Sequence, residues 1–154
     1  MNTQRFGNMA KMEEEHASSL SESVSGLRNV VVQEILRSIA HDSRKHKGLY
    51  EAISNLSKEV ALITEEEYDR IESVVKEHIE TEAHMLEEVK KLLASEEDPR
   101  AKHLLVEIEK DEVKHHTLMT NLLDTVISKE TLFEHDTWNM LWKGVDGHGA
   151  PRIE

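Results

Sequence analysis

The chain has 154 residues, 32% of them charged, and a formal net charge of -12; this is the length of one domain, with the wrong sign of charge for nucleic acid or an anionic membrane surface. It contains no cysteine, which excludes disulfides, thiolate metal sites and a cysteine nucleophile. No apolar run approaches the roughly 20 residues of a membrane span, and the opening "MNTQRFGNMAKMEEEH" lacks the apolar stretch of a signal peptide, so a cytoplasmic protein is expected.

Helix breakers are scarce. Of six Gly and two Pro, Gly144, Gly147, Gly149 and Pro151 crowd into the C-terminal tail. The remainder, rich in Glu, Lys, Leu and Ala, is predicted to be all-α. A first helix ends near Gly26, and a second runs from about Asn29 to about Leu56 by the helical period. The stretch "SKEVALIT" loses that period, and Thr64 with Glu67 forms a capping box that starts a third helix. Asp98 is placed to cap a fourth helix with Pro99 in its first position; that helix fades near Ser128. Thr131 with Glu134 opens a short fifth helix holding Trp138 and Trp142, and the tail "GVDGHGAPRIE" is irregular. Short connections make neighbours antiparallel, which predicts an up-down-up-down four-helix bundle over residues 1–130 and a short C-terminal helix and tail over 131–154.

The core stripes predicted for this bundle are apolar at both ends and polar in the middle. On the second helix the stripe is Val32, Ile35, Ile39, Asp42, His46, Leu49, Ile53 and Leu56; on the third, Ile71, Val75, His78, Glu82, Met85, Val89 and Leu92. The fourth helix gives Leu105, Ile108, Glu112, His115, Met119, Leu122 and Val126, and the first gives Met9, Glu13, His16 or Ala17, Leu20, Val24 and Leu27. With turns at about residues 27, 61 and 97, Glu13, Asp42, Glu82 and Glu112 all fall about 14–15 residues from one end of the bundle. His46, His78 and His115 fall about 18–19 residues away, one turn further on, while His16 lies on the opposite side of the carboxylates. One carboxylate per helix thus shares a layer. No Lys or Arg occupies these stripes, so mutual repulsion and desolvation must be relieved some other way. A pair of divalent ions does this, and oxygen with imidazole ligation suits iron or manganese.

Glu112-x-x-His115 resembles the Glu-x-x-His signature of the ferritin-like di-iron carboxylate proteins, particularly the rubrerythrin branch. The resemblance extends over about residues 9–127, with Glu82 in the place of the third-helix Glu and Glu13, within "EEEHA", in that of the first. The second helix departs from the motif, reading Asp42-Ser-Arg-Lys-His46. The resemblance implies a ferritin-like bundle and two iron ions per chain, with manganese or zinc as substitutes. Its ligands would be Glu13, Asp42, His46, Glu82, Glu112 and His115, with His16 or His78 as additional ones. It also implies Fe(II) oxidation coupled to reduction of peroxide or dioxygen. Rubrerythrins often append a cysteine-rich iron domain that delivers electrons; this chain has no cysteine, so the electron donor is expected to be external.

Other readings compete. A metal-binding or storage protein without turnover would need the same ligands, and a metal-free polar layer that fixes helix register would need none. A hemerythrin-like site would use His78-x-x-x-Glu82, but "HHTLMTNLLD" lacks the remaining His and Asp spacings. His41, His84, His103, His116, His135 and His148 fall off the stripes and are expected at the surface. The segment holding Trp138 and Trp142 is amphipathic enough to dock on a second copy, and a homodimer is expected.

Overall fold

A computed structural model describes residues 3–56, 63–127 and 139–145. The regular structure among these residues is helical, with no strand: α1 (Thr3–Ser23), α2 (Val30–Asn55), α3 (Glu65–Ser95) and α4 (Pro99–Ile127). The chain divides into two compact units, Met1–Ala61 and Leu62–Glu154. No described helix is long and apolar enough to cross a membrane.

The helix limits follow from the local chemistry read in the sequence. Gly26 takes φ 87°, the left-handed conformation that stops α1 at no side-chain cost. Asn29 caps α2, its side chain accepting from the Val32 amide at 3.1 Å. At α3 the capping box is complete: Thr64 Oγ1 accepts from the Glu67 amide at 3.2 Å, and the Thr64 amide donates to Glu67 Oε2 at 2.8 Å. Asp98 Oδ1 accepts from the Arg100 amide at 2.8 Å, capping α4 just ahead of Pro99. The expected capping box of Thr131 and Glu134, Trp138, His135, His148, the tail after Val145 and the side chain of Val126 lie outside the described residues. Of the fifth helix, residues 139–141 are seen as a helical turn.

In the first unit α1 and α2 pack as an antiparallel pair, because early α1 residues meet late α2 residues. Phe6 stacks on Tyr50 at 6.4 Å, Glu13 meets His46, His16 meets Ser43 and Ser21 meets Arg44. Covered positions include Phe6, Ala10, Glu13, Ala17 and Leu20 on α1, with Val24 just after it, and Leu36, Ala40, Ser43, Lys47 and Tyr50 on α2; the predicted Met9 and Ile53 are half-buried too. Both sets step by threes and fours, the spacing of a supercoiled seam. The buried members are small (Ala10, Ala17, Ala40 and Ser43), which lets the two backbones approach closely.

The α2 seam lies one residue beyond the stripe predicted for it. Val32, Ile35, Ile39, Leu49 and Leu56 remain exposed, between 41% and 50% of their surface open. The stripe prediction follows the largest apolar side chains, whereas the hairpin packs through the smallest. One residue is about 100° of helix rotation, so Asp42 and His46 flank the seam instead of sitting in it.

In the second unit α3 packs on α4. Val75, Ile79, Glu82, Leu86, Val89 and Leu93 are covered on α3, and Leu105, Glu112, His116, Met119 and Leu123 on α4. Eight of the thirteen predicted positions whose burial is described are covered, Ile71, Glu82, Glu112 and Leu122 among them. His78, Met85, Leu92, Ile108 and His115 turn out exposed, while their neighbours face the seam. The segment at 139–145 is tied to α4 by Asn121, whose Nδ2 donates to the carbonyls of Leu141 and Lys143, each at 2.9 Å.

Candidate metal centre

Glu82 and Glu112 are the acidic residues that the α3–α4 seam cannot turn outward. Each occupies a position otherwise filled by Val, Leu or Ile, so the helical period that buries Val75, Val89 and Leu105 carries the two carboxylates inward with them. Glu112 is 9% exposed and the Glu82 side chain 15%. Both Oε2 atoms are buried without a hydrogen-bond partner. Burial first, then a hydrogen bond with Glu82 and the charges of Glu82 and Asp111, together push the Glu112 carboxyl up to about 7. His115 stands one turn along α4 and brings Nδ1 to 3.9 Å from Glu82 Oε2, too long for a hydrogen bond. One ligand atom from each of Glu82, Glu112 and His115 lies within 4.8 Å of the other two.

That geometry fits a divalent ion. Two oxygens and one imidazole nitrogen, at distances of about 2.0–2.2 Å from a common point, need only a small side-chain adjustment from the observed spacing. The donor set suits iron, manganese or zinc. Two buried Oε2 atoms lack a donor, and a buried acceptor without one costs about 1–3 kcal/mol, more when it is charged; a cation, or a proton on Glu112 shared with Glu82, would relieve that cost.

No protein-family model matches the chain. No curated protein and no solved structure matches it either.

The α1–α2 unit assembles the remaining expected ligands less completely. Glu13 Oε1 lies 3.5 Å from His46 Nδ1, with 19% of the Glu13 side chain exposed. Its neighbours are occupied elsewhere: Glu14 is bound by Lys47 at 2.7 Å, which holds the Glu14 carboxyl below its ordinary range, and Glu15 pairs with Lys11 at 3.6 Å. Glu13 is therefore the inward member of "EEEH". His16 Nδ1 lies 3.0 Å from the hydroxyl of the buried Ser43. Asp42 is exposed, and its Oδ1 accepts from Lys45 Nζ at 2.7 Å.

Three features were missed from the sequence. Lys45, off the predicted stripe, neutralises Asp42 from three residues away; that spacing within "HDSRKHK" is the ordinary one for a surface ion pair and was the available signal. Ser43 as the partner of His16 follows from the one-residue displacement of the α2 seam, which no local signal announces. His116, expected at the surface, is half-buried beside Glu112, because an α4 seam passing through Glu112 reaches His116 four residues on. His78 is exposed on α3 and is not among the clustered ligands.

Proposed function

We propose that this protein binds divalent transition metal through Glu82, Glu112 and His115. The observation that carries the reading is the pair of buried, unpartnered Oε2 atoms on Glu82 and Glu112, with an imidazole nitrogen beside them. Glu82 and Glu112 supply charge and His115 supplies a neutral nitrogen. The exposed His115 side leaves solvent, or a small oxidant, a route to the same point.

In its finer form the proposal is a dinuclear iron centre in a ferritin-like four-helix bundle. Glu13, Asp42 and His46 would be ligands for the second ion, with His16 and His78 as additional ones. Three observations support this extension. Glu13 is inward-facing and next to His46. Glu82 and Glu112 bring donor atoms within 4.8 Å of each other, the neighbourhood the depth count expects of them. The two units also leave apolar side chains such as Ile35, Ile39, Met85 and Leu92 open, as expected of helices that have further packing to do. Asp42 would first have to release Lys45. Bound iron would supply the electrons for Fe(II) oxidation coupled to reduction of peroxide or dioxygen, recharged by an external donor. A cytoplasmic homodimer completes the proposal.

Metal counting tests it. Anaerobic Fe(II) should bind at about two equivalents per chain on the dinuclear form, and at one on the Glu82–Glu112–His115 form. Binding below half an equivalent, with thermal stability unchanged by metal, would exclude both. Peroxide consumption in the presence of a reductant then separates an oxidoreductase from a storage protein.

A further inference from the structure

The two helical units are unequal as ligands for metal, and the inequality predicts an order of filling. Resting on the metal-binding reading above, we propose that the α3–α4 hairpin is a self-sufficient one-ion site for a divalent cation, which fills first and without help from any side chain of α1 or α2.

Donor count and the state of each donor carry the inference. On α3 and α4 three donors already converge within 4.8 Å. Glu112 is nine-tenths buried, contributes one of these donor atoms, and has an Oε2 without a partner. None of Glu82, Glu112 or His115 is held by a lysine; the interaction that Glu112 gives up on ligating is the one it makes with Glu82 itself. On α1 and α2 the convergent donors are Glu13 and His46 alone, 3.5 Å apart. The other expected donors are engaged: Asp42 by Lys45 at 2.7 Å and His16 by Ser43 at 3.0 Å. Ligation by either must break an existing interaction, and moving Asp42 from its lysine also gives up a charge-assisted bond. A site with three free donors, two of them poorly solvated anions, outcompetes one with two donors for the first ion.

A local consequence follows. The ion bridges α3 at Glu82 and α4 at Glu112 and His115, so the first equivalent acts as a cross-link between these two helices. It should slow amide exchange around residues 82 and 112–115 before it affects residues 13 or 46.

The full chain, stripped with chelator, is titrated with Co(II) chloride by calorimetry, with amide exchange read at each step. The wild type should take a first equivalent at least tenfold tighter than any second. The double variant Glu13→Gln/His46→Ala should keep that first equivalent with Kd within about threefold of the wild type, a margin below 1 kcal/mol. Glu112→Gln should weaken it at least tenfold. Glu82→Gln provides the same test if circular dichroism shows Glu112→Gln unfolded. Loss of all binding in Glu13→Gln/His46→Ala, with two ions bound by the wild type, would overturn independent filling while leaving metal binding intact. Wild-type binding unaffected by Glu112→Gln and Glu82→Gln alike would overturn the metal-binding reading itself.

Discussion

Glu112 gives the sharpest energetic test, because its effect on stability has a definite sign. Its carboxyl is raised from an ordinary 4.5 to about 7, chiefly by burial and next by Glu82. In the unfolded chain burial and the fixed Glu82 neighbour are gone, so the group ionises near its ordinary value. A carboxyl whose folded value is raised favours the folded state only while it is protonated. Its contribution is complete below about pH 4.5 and is lost as pH rises through about 7. The difference corresponds to about 3 kcal/mol by pH 8.

Glu112→Gln removes the ionisation and keeps the shape, and its amide can donate to the Glu82 oxygen that has no partner. Chelator-treated wild type should therefore lose about 3 kcal/mol of stability between pH 4.5 and pH 8 relative to Glu112→Gln. At pH 8 the variant should melt roughly 6–12 °C higher for a chain of this size. Thermal and urea denaturation, followed by circular dichroism across that range, measure both quantities. Metal should narrow the gap, since binding at one hundred times Kd stabilises the wild type by about 2.7 kcal/mol and the variant much less. Parallel pH profiles for wild type and variant, or a variant less stable than the wild type at pH 8, would refute the account. The Glu112 side chain would then be paired or solvated in a way that its buried Oε2 contradicts.

Three further outcomes are expected. His115→Ala should weaken metal binding tenfold or more, and His116→Ala should change it by less than about twofold while costing about 1 kcal/mol as a half-buried residue; a metal titration and a melt of each variant decide this, and equal losses of affinity would mean that α4 presents the wrong imidazole. Thr64→Ala should cost about 1 kcal/mol by urea denaturation, because it deletes the cap whose partner is the Glu67 amide; a change below a few tenths would mean that the cap is redundant. Asn121→Ala should speed tryptic cleavage after Lys143 several-fold, since the carbonyls of Leu141 and Lys143 both lose the Asn121 amide as donor; an unchanged rate would show that other contacts hold the segment.

Helix limits were legible in the sequence because they are local. Gly26, Asn29, Thr64 with Glu67, and Asp98 before Pro99 each act through their own backbone or one turn away. Nothing distant can override a left-handed glycine or a completed capping box cheaply, so composition and spacing suffice. Helix phase is a different kind of property. It depends on which side of one helix the next one meets, and the apolar surface of α2 is wide enough to offer two answers a residue apart: Ile35, Ile39 and Leu49, or Leu36, Ala40 and Tyr50. Hydrophobic periodicity weighs the bulk of a stripe, while close approach of two backbones weighs its smallness. In α1–α2 smallness prevails, through Ala10, Ala17, Ala40 and Ser43.

The same distinction explains which parts of the candidate site were legible. Glu82 and Glu112 survive the change of phase because they lie where the predicted stripe and the observed seam coincide, flanked on either side by Val75 with Val89 and by Leu105 with Met119. A carboxylate at such a position has no outward rotation available without dragging an apolar side chain into water. Asp42 and His46 lie on the part of α2 that the hairpin leaves open, where a lysine three residues away satisfies Asp42 without cost to the fold. Their identification as ligands requires an additional surface to cover α2, whereas that of Glu82 and Glu112 requires only the hairpin they belong to. An inward carboxylate is thus informative in proportion to the number of packing arrangements that would bury it. By that measure Glu82 and Glu112 are, among the described residues, the carboxylates whose inward position depends least on any further packing.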